Sequence, residues 1–169
     1  KAIGCTVIAT VGDDAKGERV RALGADHVIH AGEEDPIAAI KRLGGATEAI
    51  ATAVNPKAFE QALGSLARGG TLMCVGLPAQ NEMALPIFET VLGGLTVKGS
   101  IVGTHEDAVE VFDLHRRGMT RIERQEIELE DVNEAIEAVL DGTAGAARSV
   151  FRMAPPEHGG AGHQAAATA

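Results

Sequence analysis

TEAIATAVNPKAFEQALGSLARGGTLMCV, residues 47–75, carries the reading on which the fold turns. Thr47–Thr52 and Thr71–Val75 read as short strands, and the segment between them reads as a helix. Asn55–Pro56 starts that helix: Asn accepts from free N–H groups at a helix N-terminus, and Pro suits the first helical position. Phe59, Leu63 and Leu66 recur at i, i+4 and i+7, which places them on one helix face, and Gly69–Gly70 ends the unit. Two mostly apolar strands joined through a helix are the pattern of parallel strands covered on both faces.

The same alternation extends both ways. Thr6–Thr10, His27–His30 and Leu95–Val102 complete the set of early strands. Lys1–Ile3 reads as the last turn of a helix closed by Gly4. Asp13 or Asp14 caps a helix running to Leu23, with Gly24 after it, and Asp35–Pro36 opens another with Ile37, Ile40 and Leu43 on one face. Thr104 with Asp107 forms a capping box ahead of Val109 and Phe112. Repeated βα units of this length predict an α/β fold with a doubly wound parallel sheet.

The texture changes after Gly118. RIERQEIEL, residues 121–129, reads as a strand on a different surface. Val132, Ala135, Ile136, Val139 and Leu140 form an amphipathic helical stripe, and Arg148–Met153 reads as a last strand. From Pro155 the chain is small, polar and rich in Pro and Gly, the composition of a disordered tail. The expected division is 1–118, 119–153 and 154–169.

Of the 169 residues, 45% are hydrophobic, enough for a buried core. No apolar run approaches the roughly 20 residues of a membrane span. A net charge of −9 argues against nucleic acid or an anionic membrane as partner. The two cysteines, Cys5 and Cys74, fall in predicted buried strands and read as small core hydrophobes. The lack of a disulfide framework suits a reducing cytoplasm.

Motifs that carry chemistry by themselves are missing. There is no GxGxxG, Walker loop or GxSxG in the predicted folded part. The GGAG at Gly159–Gly162 follows no strand and opens no helix. His105 and Glu106 lack the HExxH spacing and read as a solvated helix start. His27 and His30 flank a strand with no third ligand apparent, and read as edge polar residues. The residues alone support a nucleotide-binding α/β domain and no particular reaction.

Five stretches taken in order go further. KAIGCTVIAT with ALGADHVI, TAVNPKAFEQALGSLARGGTLMCVGLP, PIFETVLGGLTVKGSIVGT and LEDVNEAIEAVLDG together resemble the C-terminal half of the zinc-dependent medium-chain alcohol dehydrogenases. This resemblance implies a Rossmann-like sheet plus a C-terminal strand–helix–strand segment. It implies that a catalytic domain with the zinc ligands, the first Rossmann strand and its Gly-rich turn would precede Lys1. On that reading the chain is a fragment, with zinc only in the absent domain and no catalytic residue of its own. Strands on either side of the missing first one would then keep open apolar edges, and the chain would not fold stably alone.

The resemblance also implies roles for residues that match. Thr52, Ala53 and Val54 would line the adenosine and nicotinamide side. Val75, Gly76 and Leu77 would bring backbone to the nicotinamide amide, with Ser100, Ile101 and Val102 as its second wall. Arg148 would meet the cofactor phosphates. Val11 stands where family members that use NAD carry an acid on the ribose, and Asp13 and Asp14 follow it. The implied cofactor is NAD, with NADP the alternative. Gly17 also departs from the pattern, which usually has a larger residue there, and glycine inside a helix costs about 1 kcal/mol. The implied substrate is a small alcohol or aldehyde, and the Leu95–Val102 edge would pair subunits of a homo-oligomer. A zinc-independent quinone reductase fragment and a non-catalytic dimerisation module are the alternative readings.

Overall fold

Helix starts follow the side chains that the sequence places there. In the computed structural model, which describes residues 1–141, 143–145 and 148–153, Asp13 caps α1 (Asp14–Ala22) by accepting from the Lys16 N–H at 2.8 Å. Asp35 caps α2 (Pro36–Arg42), and Asn55 caps α3 (Pro56–Gly64), each with Pro at the first helical position. Thr104 and Asp107 close the expected capping box on α5 (His105–Arg116): the Asp107 N–H donates to the Thr104 hydroxyl, and Thr104 N–H donates to the Asp107 carboxylate.

The strands between these helices are all parallel, and they form two separate sheets in the first of two compact units, Lys1–Arg121. β1 (Ile8–Val11) pairs with β2 (His27–His30). β3 (Ala46–Ala51), β4 (Leu66–Cys74) and β5 (Thr96–Gly99) form the second sheet in the order β3-β4-β5. No hydrogen-bonded pairing joins β1 to β3 among the described residues. This is the doubly wound order interrupted at the place of its central first strand. Helix α2 bridges the gap. Its Ala39 and Ile40 pack with Ile29 of β2, and both Ile8 of β1 and Ala46 of β3 lie against that cluster. Ala46 also borders the larger core of Ala51, Phe59, Leu63, Leu66 and Leu72.

Several expectations need correction. Leu66 does not extend α3; the helix ends at Gly64, Ser65 caps it, and Leu66 begins β4 while its side chain fills the core. Gly69–Gly70 therefore lies inside β4, where the β3–β4 register is irregular and Gly69 has φ +73°. Cys5 is exposed and precedes β1; only Cys74 lies on a strand, half-buried, and both thiols are free. Lys1–Ile3 forms a turn rather than described helix, although Gly4 does take φ +91° and donates its N–H to the Lys1 carbonyl. A helix not expected from the sequence, α4 (Ile87–Gly93), precedes β5 and ends at Gly94 with φ +60°.

The second unit begins at Ile122. In it β6 (Arg124–Glu128) pairs in parallel with β7 (Arg148–Arg152), and α6 (Val132–Leu140) lies between them in sequence. Arg152 donates to Glu126 at 2.9 Å across the pair. The expected disordered tail, 154–169, and its GGAG lie outside the described residues.

Candidate functional site at the strand ends

Parallel strands end on one side of a sheet, so the loops that leave them gather there. Ala51 of β3 is level with Cys74 of β4, which is level with Gly99 of β5. The three loops that follow are Thr52–Val54, Val75–Leu77 and Ser100–Val102, which hold nine of the expected cofactor residues. The structure brings these nine together at one edge of the sheet. The Val75 and Gly76 N–H groups both donate to the Ala51 carbonyl, at 3.0 and 2.9 Å. Ser100 N–H donates to the Cys74 carbonyl at 3.0 Å. The ladder thus continues one residue past each strand and then releases the chain.

Gly76 has a reason to be glycine that comes from this chain. A Cβ there would stand 2.3 Å from the Ala53 carbonyl oxygen and 2.9 Å from the Thr52 carbonyl carbon. Any side chain would push the β3 and β4 exits apart. Downstream, the loop is tied back: Glu60 of α3 accepts from the Ala84 N–H at 3.0 Å, and Met83 packs on the larger core. Val102 has φ +39°, the one non-glycine residue with positive φ among those described. For a β-branched residue this is a strained conformation.

The surface these loops present is apolar. Val54, Leu77, Ile101 and Val102 are 77%, 90%, 90% and 93% exposed, with Val75 partly so. Beside them Gly99 has open space where a Cβ would project. Apolar walls with backbone polar groups between them suit a flat heteroaromatic ring carrying an amide.

The exit of β1 differs. The Val11 carbonyl accepts from the Ala31 N–H at 2.9 Å, and the apolar Val11 side chain is buried. Asp13 is exposed. The Lys16 N–H and ammonium hold its carboxyl below the usual carboxylate range, so it is ionised at neutral pH. Arg148 lies in the second unit, where it opens β7 opposite Arg124 and its N–H donates to the Glu123 carbonyl.

One constellation escaped the sequence reading. His30, at the end of β2, meets Asp14 (Nδ1 to Oδ1, 3.3 Å) and lies near Glu33 as well. The expectation that His30 has no further ligand nearby is therefore corrected. The spacing of His30 and Glu33 is visible in the sequence, but only the βα turn brings Asp14 to them. The same ring accounts for Gly17: a Cβ there would stand 2.8 Å from His30 Cε1.

Residues 1–117 match the zinc-binding dehydrogenase family. An alcohol dehydrogenase of Geobacillus stearothermophilus is 48% identical over 143 residues, covering 84% of this chain and 42% of that relative. One from Moraxella sp. (strain TAE123) is 42% identical over 142 residues, covering 83% and 42%. The solved alcohol dehydrogenase of the hyperthermophilic archaeon Aeropyrum pernix matches with a TM-score of 0.77 at 26% identity, over 87% of this chain and 42% of that one. This chain therefore spans less than half the length of these relatives. The family match runs through every strand and helix of the first unit, and the chain belongs to the zinc-binding dehydrogenase family.

Proposed function

We propose that this chain is the nicotinamide-cofactor-binding part of an alcohol dehydrogenase, which moves hydride between an alcohol or aldehyde carbon and the nicotinamide ring. The observation that carries the reading is that three parallel strands end level with one another, with Gly76 of the β4 exit packed on the β3 exit, in a chain of this family. The curated relatives are alcohol dehydrogenases, which favours this reading over a quinone reductase or a non-catalytic module.

On this reading each group has a task. Val75–Leu77 and Ser100–Val102 hold the carboxamide through backbone groups, while exposed Leu77, Ile101 and Val102 cover the ring and keep water from it. Thr52–Val54 lines the neighbouring wall. Arg148 supplies a guanidinium for the phosphates. When bound, the cofactor supplies the hydride chemistry, and these residues orient it. Of the eleven strand-end positions in the first unit only Asp13 carries a histidine, cysteine or acidic side chain, so these loops are suited to a cofactor and not to the family's zinc. That zinc, the substrate pocket and the strand between β1 and β3 would come from another part of the protein.

NAD is the proposed cofactor, with NADP the weaker ligand. Asp13 and Asp14 stand just past β1, where a 2′-phosphate would meet two carboxylates. The open outer edge of β5 is the proposed contact with a second copy.

Calorimetric titration of NADH and NADPH into the full-length protein tests the reading. Saturable binding, tighter for NADH, with a loss of about 10- to 100-fold in Arg148→Ala, is expected from removing a charged hydrogen-bond donor. A folded protein that binds neither nucleotide would overturn it.

A further inference from the structure

We propose that Asp14, His30 and Glu33 form a site for a divalent transition-metal ion of the zinc or cobalt type. The proposal rests on the geometry of these three side chains, and it shares Asp14 with the ribose end of the proposed cofactor site. One ligand atom from each of the three side chains lies within 4.8 Å of the other two. Zinc with nitrogen and oxygen ligands at about 2.0–2.1 Å places neighbouring ligand atoms about 3.3–3.5 Å apart. The His30–Asp14 separation of 3.3 Å already meets that spacing. The remaining closure falls to Glu33 and Asp14, which are exposed and free to change rotamer.

The imidazole is the fixed member of the set. Its side chain is only 16% exposed, while that of Asp14 is 87% exposed. Gly17 sits against the ring at Cε1 and Nε2, and Arg21 Nη1 lies 3.6 Å from the same Cβ position, so this side of the ring is occupied by α1. Nδ1 faces Asp14 instead, which leaves that nitrogen as the one available to a metal. Glu33 returns to the ring because the chain turns at once after β2: the Glu33 N–H donates to the His30 carbonyl at 3.0 Å.

Two of the adjacent carboxylates are engaged elsewhere: Asp13 pairs with Lys16 and Glu34 with Arg42. Asp13 does the capping of α1, so Asp14 is not engaged in that role. Asp14 and Glu33 are thus two like charges on one imidazole, with no Lys or Arg ion pair described for either. A divalent cation would neutralise both and bind the neutral ring. It would also tie the start of α1 to the end of β2, so binding should raise thermal stability.

Co²⁺ is the probe, titrated by calorimetry into the full-length protein without prior treatment with a chelator. At about pH 7.5 one additional saturable event per chain is expected. It should weaken by about tenfold or more in His30→Gln and, separately, in Glu33→Gln. Glu33→Gln changes an exposed side chain and keeps the test decisive if His30→Gln does not fold. Equal heats in the parent and the Glu33→Gln protein, or no added event in the parent, would overturn the proposal.

Discussion

At the scale of single residues, close approach decides more than side-chain chemistry. Gly76 is constrained by the carbonyls of Thr52 and Ala53, whereas Gly99, on the neighbouring strand, has open space where its Cβ would be. Gly76→Ala should therefore cost about 1–3 kcal/mol through forced separation of the β3 and β4 exits. Gly99→Ala should change stability by well under that. Chemical denaturation of both variants checks the difference, and NADH affinity should fall with Gly76→Ala because the two walls move apart. Equal effects of the two substitutions would mean that strand separation is not the constraint.

At the scale of elements, caps and buried faces set the balance. Leu63 is the fully buried anchor of α3, and Leu63→Ala should cost about 2–5 kcal/mol, read from the denaturant midpoint. The caps also carry a pH signature. Hydrogen bonds from the Thr104 N–H and hydroxyl hold the Asp107 carboxyl below its ordinary value of 3.8. The Lys1 ammonium and the Val7 N–H do the same for Asp26, as the Lys16 groups do for Asp13. A lowered folded-state pKa stabilises the fold above the unfolded value and loses that contribution as pH falls through the folded one. Stability should thus decline as the pH drops below about 4. Asp107→Asn should flatten part of that decline in a circular-dichroism acid titration, and an unchanged profile would count against the cap as its source.

At the scale of the whole molecule, the open edges of β1 and β3 dominate. Ile50 on β3 is 67% exposed, in a strand that the doubly wound order places at the centre of a sheet. Unpaired edges of this kind expose amides to exchange and attract other strands. Produced alone, the 169-residue chain should bind a hydrophobic dye and exchange the β1 and β3 amides quickly. The same amides should be protected in a longer chain that supplies the doubly wound order's first strand. A sharp cooperative transition and slow exchange from the chain alone would show that no further strand is needed.

The sequence by itself determined the parallel βα order, the caps at Asp35, Asn55 and Thr104, and the five stretches that carry the family resemblance, because these depend on local spacing and on residue types with one backbone use. It offered Asp13 or Asp14 for α1, and the structure chose Asp13. It missed α4, whose cap position is Pro86 with no side-chain hydrogen bond and so carries no polar start signal. It extended α3 by Leu66, because an apolar residue at i+7 reads the same whether a helix continues or a buried strand begins. The tertiary structure alone decided why residues 17 and 76 are glycine, since the atoms they would strike come from His30 and from Thr52–Ala53 on other elements. It alone brought Asp14 and Glu33 to His30. Contacts between elements depend on the path of the chain in space, and no periodicity within an element encodes them.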